Sequence, residues 1–152
     1  MTLSSPSFYH NGTIPLQYTC EGDNTNPPLV IRDVPKGAKS LILILEDPDA
    51  PHKTWTHWLL YNIPPGTTHI PENEIPSEAL EGLANGGTFG YEGPCPPSGT
   101  HHYIFTLYAI DIILAIKPNA VNKQTLLSQM NGHIIDRAEL VGLYVLQKRV
   151  QA

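Results

Sequence analysis

The sequence predicts a mainly all-β protein, an antiparallel β-sandwich of two sheets with one or two short helices near the C-terminus. Three observations carry this expectation. The apolar runs are short and rich in β-branched and aromatic residues. Fifteen prolines and twelve glycines among 152 residues fall between those runs without a period. Helical patterning is confined to the end of the chain, and strands that do not alternate with helices argue against a parallel α/β arrangement. A chain of this length is most economically one domain, residues 1–152, large enough to bury a substantial core.

The elements follow in order. Leu29-Val30-Ile31, entered through Pro27-Pro28, is a short strand. Ser40 to Glu46 reads as a strand buried on both faces, and Trp55 to Ile63 is again strand-like. From Ile63 to Thr88 the turn formers Pro64-Pro65-Gly66, Pro71, Pro76 and Gly86-Gly87 mark mostly loop. Tyr103 to Asp111 is the longest strand candidate. Tyr103, Phe105, Leu107 and Ala109 share one face; Ile104, Thr106, Tyr108 and Ile110 share the other. Asn122 caps a helix over Lys123 to Met130, with Leu126, Leu127 and Met130 on one side and Asn131-Gly132 as its stop. Ile134 to Leu140 is a candidate second helix, and Val141 to Gln147 returns to strand.

Composition removes several function classes. The net charge is −5 with no cluster of Lys and Arg, which argues against a nucleic-acid surface or a polybasic membrane patch. The longest aliphatic run, Leu41 to Leu45, is far too short to span a bilayer. Met1 to Pro6 has neither a basic start nor an apolar stretch, so the expectation is no signal peptide and a cytoplasmic location. In that compartment Cys20 and Cys95 are expected as free thiols.

Two segments concentrate the chemistry. In the first, Asp47-Pro48-Asp49-Ala50-Pro51 ends a buried strand, and His57 follows in Thr54-Trp55-Thr56-His57-Trp58. Its paired carboxylates suit acid–base work, metal ligation or plain acceptance of loop N–H groups. A lone His between two Trp residues is by itself more often a hydrogen-bonded core group. In the second, Gly90 to Gly99 holds three glycines and three prolines, a stiff backbone that a ligand can approach closely. His101 and Tyr103 point to one side of the following strand and His102 to the other. Imidazole, phenol and backbone N–H groups are the donors a small oxyanion needs, and Tyr91 adds an aromatic wall or another hydroxyl.

Asp47-Pro48-Asp49-Ala50-Pro51, His57 ahead of Leu59-Leu60-Tyr61-Asn62-Ile63-Pro64, and Gly93-Pro94-Cys95-Pro96-Pro97 through His101-His102-Tyr103 resemble the phosphatidylethanolamine-binding protein family. The likeness is to its small prokaryotic, Raf-kinase-inhibitor-like branch, and it extends to Gly132-His133 and Ala138 to Gly142. The resemblance implies two packed antiparallel sheets and a small surface pocket for anions such as phosphate or a phosphoryl head group. It implies Asp47, His57, His101 and Tyr103 as pocket residues, with Gly93 and Pro94 in one wall. Asp49, Pro51 and Cys95 fall to structural support, and Ala50–Pro51 becomes the candidate for a cis peptide bond. It also implies a homodimer. The sequence departs from the family in carrying His102 where Arg commonly precedes the motif's Tyr.

The leading expectation is therefore a non-catalytic anion-binding or regulatory protein, with Asp47 hydrogen-bonded to a pocket histidine. A second is a regulator of a larger partner, such as a kinase or protease, docking a phosphorylated or acidic side chain. An enzyme using the Asp, His and Tyr groups for acid–base or metal-assisted hydrolysis is the alternative. It lacks a Gly-x-Ser-x-Gly elbow, an assured base for Cys95, and a helix-borne His-x-x-x-His pair. No cofactor is implied.

Overall fold

The computed structural model describes residues 1–117 and 121–148. Nine strands and one α-helix are formed among them. The strands are β1 (Thr2–Ser4), β2 (Gly12–Thr13), β3 (Leu29–Arg32), β4 (Ser40–Asp47), β5 (Trp55–Ile63), β6 (His69–Ile70), β7 (Leu80–Glu81), β8 (His101–Ile110) and β9 (Ile134–Tyr144). A 3₁₀ turn at Leu16–Tyr18 and helix α1 (Lys123–Met130) complete the elements. The strands form a three-stranded sheet, β1-β3-β6, and a six-stranded sheet, β2-β9-β8-β4-β5-β7.

Strand β4 is buried along nearly its whole length because both of its faces are covered. Leu41, Leu43 and Leu45 enter one apolar cluster with Tyr103, Phe105, Leu107 and Ala109 of β8 and with Leu3, Leu29, Ile31 and Ile70 of the three-stranded sheet. Side chains of both sheets thus meet in one core. Ile42 and Ile44 point the other way, into a smaller cluster with Leu59, Tyr61, Ile110, Leu126 and Met130, where α1 covers the sheet. The helix begins where expected, with the Asn122 side chain accepting from the Thr125 N–H. Leu127 departs from the expected apolar stripe, being 40% exposed while Leu126 and Met130 are fully buried.

Two expectations are corrected. The segment from Ile134 is not a second helix but the first half of β9, paired antiparallel with β8 from Ile110↔Ile134 to His101↔Tyr144. Its period is two: Leu140 and Tyr144 enter the main core with Ala138 packed against it, while Arg137 lies over the Tyr108 ring and pairs with Glu139 on the opposite face. Nor is the architecture purely antiparallel, since β2 runs parallel to β9 through Gly12↔Gly142 and Thr13↔Leu143. No described helix is long and apolar enough to cross a membrane.

Candidate functional site

The ends of β4, β5 and β8 converge on a cavity of about 420 Å³ lined by Asp47, His57, Gly93, His101 and Tyr103 together with Cys20, Asn24, Ala50, Pro51, Trp55, Glu92, Cys95 and Pro97. Antiparallel pairing brings the C-terminal end of β4 beside the N-terminal ends of both neighbours. Residues more than fifty positions apart in sequence therefore meet: Asp47 Oδ2 lies 2.6 Å from His101 Nδ1. Both side chains are almost fully buried.

His57 reaches the cavity through a break in the strand's alternation. Leu45 pairs with Trp58 while the adjacent Glu46 pairs with Thr56, so His57 is an extra residue, a β-bulge. The bulge lets His57 and Trp58, neighbours in sequence, both serve the side of the main core. Its ring meets Tyr103 edge-on at 5.3 Å, and the His101 ring stacks on Tyr103 at 6.4 Å. Tyr103 is held between two imidazoles.

Hydrogen bonds assign the imidazole tautomers. His57 Nδ1 lies 2.5 Å from the Glu92 carbonyl oxygen, an acceptor only, so Nδ1 carries the proton and Nε2 is the ring nitrogen left for the cavity. His101 Nδ1 likewise donates to Asp47 Oδ2. Burial pulls the His57 pKa below its ordinary value, with the Glu92 carbonyl and the Asp47 charge opposing that shift. The native state thus disfavours the proton that the unfolded chain accepts near pH ~6.5. His57 contributes full stability above that value, and stability is lost as pH falls from it towards the depressed native pKa. Urea unfolding at pH 7.5 and 5.5 should show a larger loss for the native protein than for His57→Asn. Equal losses would contradict the neutral assignment.

The Tyr103 hydroxyl is buried and has no hydrogen-bond partner among the described residues. Burial and the nearby Asp47 carboxylate hold its proton on, against a smaller opposing effect of the Cys95 backbone N–H. Other groups are already engaged. Asp47 Oδ1 accepts from the Asp49 N–H, and Asp49 in turn accepts from the backbone and ring of His102, which hold its carboxyl below the usual range. The Glu92 carboxylate is turned to Gly86 and Thr88.

Several expected contributions lie elsewhere. Tyr91 and Pro94 are not among the cavity's lining residues. The Tyr91 hydroxyl donates to the Tyr18 carbonyl, and its ring packs edge-on against Trp58 behind the wall. The Gly93 N–H is not free for a ligand, because it donates to Asn24 Oδ1. Ala50–Pro51 is trans, as are the other described peptide bonds. Cys20 and Cys95 are joined in a disulfide rather than free, which also removes Cys95 as a nucleophile. Cys20, Asn24, Ala50, Trp55, Glu92 and Pro97 line the cavity without having been assigned to the site from the sequence. The Pro-rich motif names Pro97's neighbourhood, whereas nothing local to Asn24 distinguishes it from an ordinary turn residue.

Comparison with known proteins identifies the family and the fold. The phosphatidylethanolamine-binding protein family profile matches residues 4–145. The chain belongs to that family. A UPF0098 protein of Methanothermobacter thermautotrophicus is 48% identical over 149 residues, covering 95% of this chain and 98% of the relative. The crystal structure of a phosphatidylethanolamine-binding protein homologue of Chlamydia trachomatis superposes with a TM-score of 0.91 at 42% identity, over 96% of this chain and 97% of that one. Escherichia coli YbcL, described as a member of the mammalian family, gives 0.89 at 28% identity, over 96% and 98%. These relatives place the chain with the prokaryotic type of the family.

Proposed function

We propose that the cavity binds a small oxyanion, phosphate or a phosphoryl group, and that the protein acts by binding rather than by catalysis. The observation that carries this reading is the buried Tyr103 hydroxyl. A buried polar group without a partner costs about 1–3 kcal/mol, and an anion oxygen in the cavity would accept its proton. His101 supplies the second donor. Once its ring is protonated, Asp47 balances the charge at Nδ1 and Nε2–H faces the ligand. Neutral His57 offers Nε2 as an acceptor, suited to a ligand oxygen that still carries a proton.

This arrangement ties binding to protons. Either His101 gains one or the ligand retains one, so phosphate affinity falls as pH rises. Calorimetric titration with inorganic phosphate at pH 6 and pH 8.5 should give tighter binding at the lower value, and Tyr103→Phe should weaken both. Equal affinities at the two pH values, or an unchanged Tyr103→Phe variant, would overturn the reading.

A further inference from the structure

The disulfide does more than tie two distant segments. Its two cysteines, 75 positions apart in sequence, both line the cavity, and both are exposed. One end sits in the loop that follows the 3₁₀ turn, the other in the Pro-rich wall. Further links join these segments at one end only. The Cys20 N–H donates to the Pro94 carbonyl, the Gly93 N–H to Asn24 Oδ1, and the Tyr91 hydroxyl to the Tyr18 carbonyl. Beyond Pro94, among the described residues, no side-chain hydrogen bond joins residues 95–100 to the rest of the protein. The wall between Pro94 and the start of β8 is thus tied across the cavity by the sulfur–sulfur bond. Pro96 is buried and anchors the segment by packing, so the exposed residues on either side of it, Cys95 and Pro97, are the ones freed once the bond is cut.

We propose that Cys20–Cys95 is a thiol-accessible redox site controlling the outer wall of the pocket, closed when oxidised and loosened when reduced. The affinity consequence rests on the anion-binding reading above. The co-reactant is a dithiol. One of its thiolates attacks a sulfur of the disulfide, the Cys20–Cys95 bond breaks, and the departing cysteine thiolate takes a proton from solvent. The second thiol of the reductant then attacks the mixed disulfide and closes a cyclic disulfide. Two electrons pass to the protein, which ends with two thiols, and the dithiol is oxidised. Two consequences follow for the cavity. Cys95 and Pro97 leave the rim, and water reaches the His–Tyr–His group. Asp47, His57, His101 and Tyr103 themselves stay in place, because they are held by the strands and the core.

The test has two independent readouts. Native protein is treated with dithiothreitol without denaturant, and thiols are counted with a maleimide. Two thiols per chain are expected, and resistance to reduction until denaturant is added would overturn the proposal. Amide hydrogen exchange is then compared between oxidised and reduced protein, with faster exchange expected in residues 95–100 and unchanged exchange in β4 and β8. Inorganic phosphate is titrated into both forms, and the reduced form should bind at least about fivefold more weakly because its wall is no longer preorganised. The Cys20→Ser/Cys95→Ser variant should match the reduced form and ignore dithiothreitol. Equal exchange in the two forms, or equal phosphate affinity, overturns the control of the pocket. Phosphate binding to neither form overturns the anion reading instead, and the exchange comparison still decides whether the wall opens.

Discussion

Asp47→Ala should destabilise the protein by about 3 kcal/mol and abolish phosphate binding, because one carboxylate holds two structures together at the site. Its Oδ2 accepts from His101 Nδ1 at 2.6 Å and its Oδ1 accepts from the Asp49 N–H at 2.8 Å. Alanine leaves the buried imidazole without its partner and frees the turn that carries Ala50 and Pro51 to the rim. Asp47→Asn is the more informative partner. The amide oxygen still accepts from Asp49, but the amide nitrogen must now donate to His101 Nδ1, which shifts the ring proton to Nε2. Neutral His101 then presents a permanent donor to the cavity. Phosphate binding by Asp47→Asn should therefore persist with a flatter dependence on pH than in the native protein. Chemical denaturation and calorimetry across pH 6 to 8.5 check both variants. A steep native-like profile in Asp47→Asn would mean that His101 is not the proton-linked donor.

Gly93→Ala should be nearly as damaging, with a loss of about 2–3 kcal/mol from overpacking and the loss of a defined pocket wall. A Cβ there would stand 2.5 Å from the Tyr18 carbonyl oxygen and 3.0 Å from the Thr19 Cα, and would overlap Asn24 Oδ1. Two of these three are backbone atoms, so no side-chain rotation relieves the clash. The same displacement breaks the hydrogen bond from the Gly93 N–H to Asn24 Oδ1. Thermal unfolding together with phosphate titration measures the effect. Native stability in Gly93→Ala would show that the two segments are not packed as closely as described. This glycine is required for close approach rather than for a left-handed backbone, since its φ is not positive.

Much of the scaffold was legible from local pattern. Strand β5 and helix α1 run over the residues their composition indicates, and the alternation of Tyr103, Phe105, Leu107 and Ala109 identifies the core face of β8. The error at Ile134 to Leu140 has a definite cause. Ile135, Ala138 and Glu139 divide the faces of a short helix when read in isolation, yet ten register positions with β8 outweigh so weak a local preference. The bulge at His57 was invisible for a different reason. Uninterrupted alternation would send His57 and Trp58 to opposite faces, and only the pairing of β5 with β4 shows that both turn inward. Cys20 and Cys95 carried no local sign of their pairing, because a disulfide depends on the distance between segments 75 residues apart.

By itself, the sequence determined the fold class, the family resemblance and a short set of candidate groups. Strand-end chemistry drew attention to their two segments, the family resemblance picked out Asp47, His57, His101 and Tyr103 from them, and the structure brings all four to the lining of one cavity. Only the tertiary structure decided the state in which those groups meet. It turned His57 inward, placed both Nδ1 protons against oxygen acceptors, left the Tyr103 hydroxyl unpartnered, drew Tyr91 and Pro94 out of the lining, and closed the wall with a disulfide. The division has a physical origin. Residue type and turn chemistry are local properties, whereas a tautomer, an orphaned hydroxyl and a cross-link each depend on what another strand places within about 3 Å.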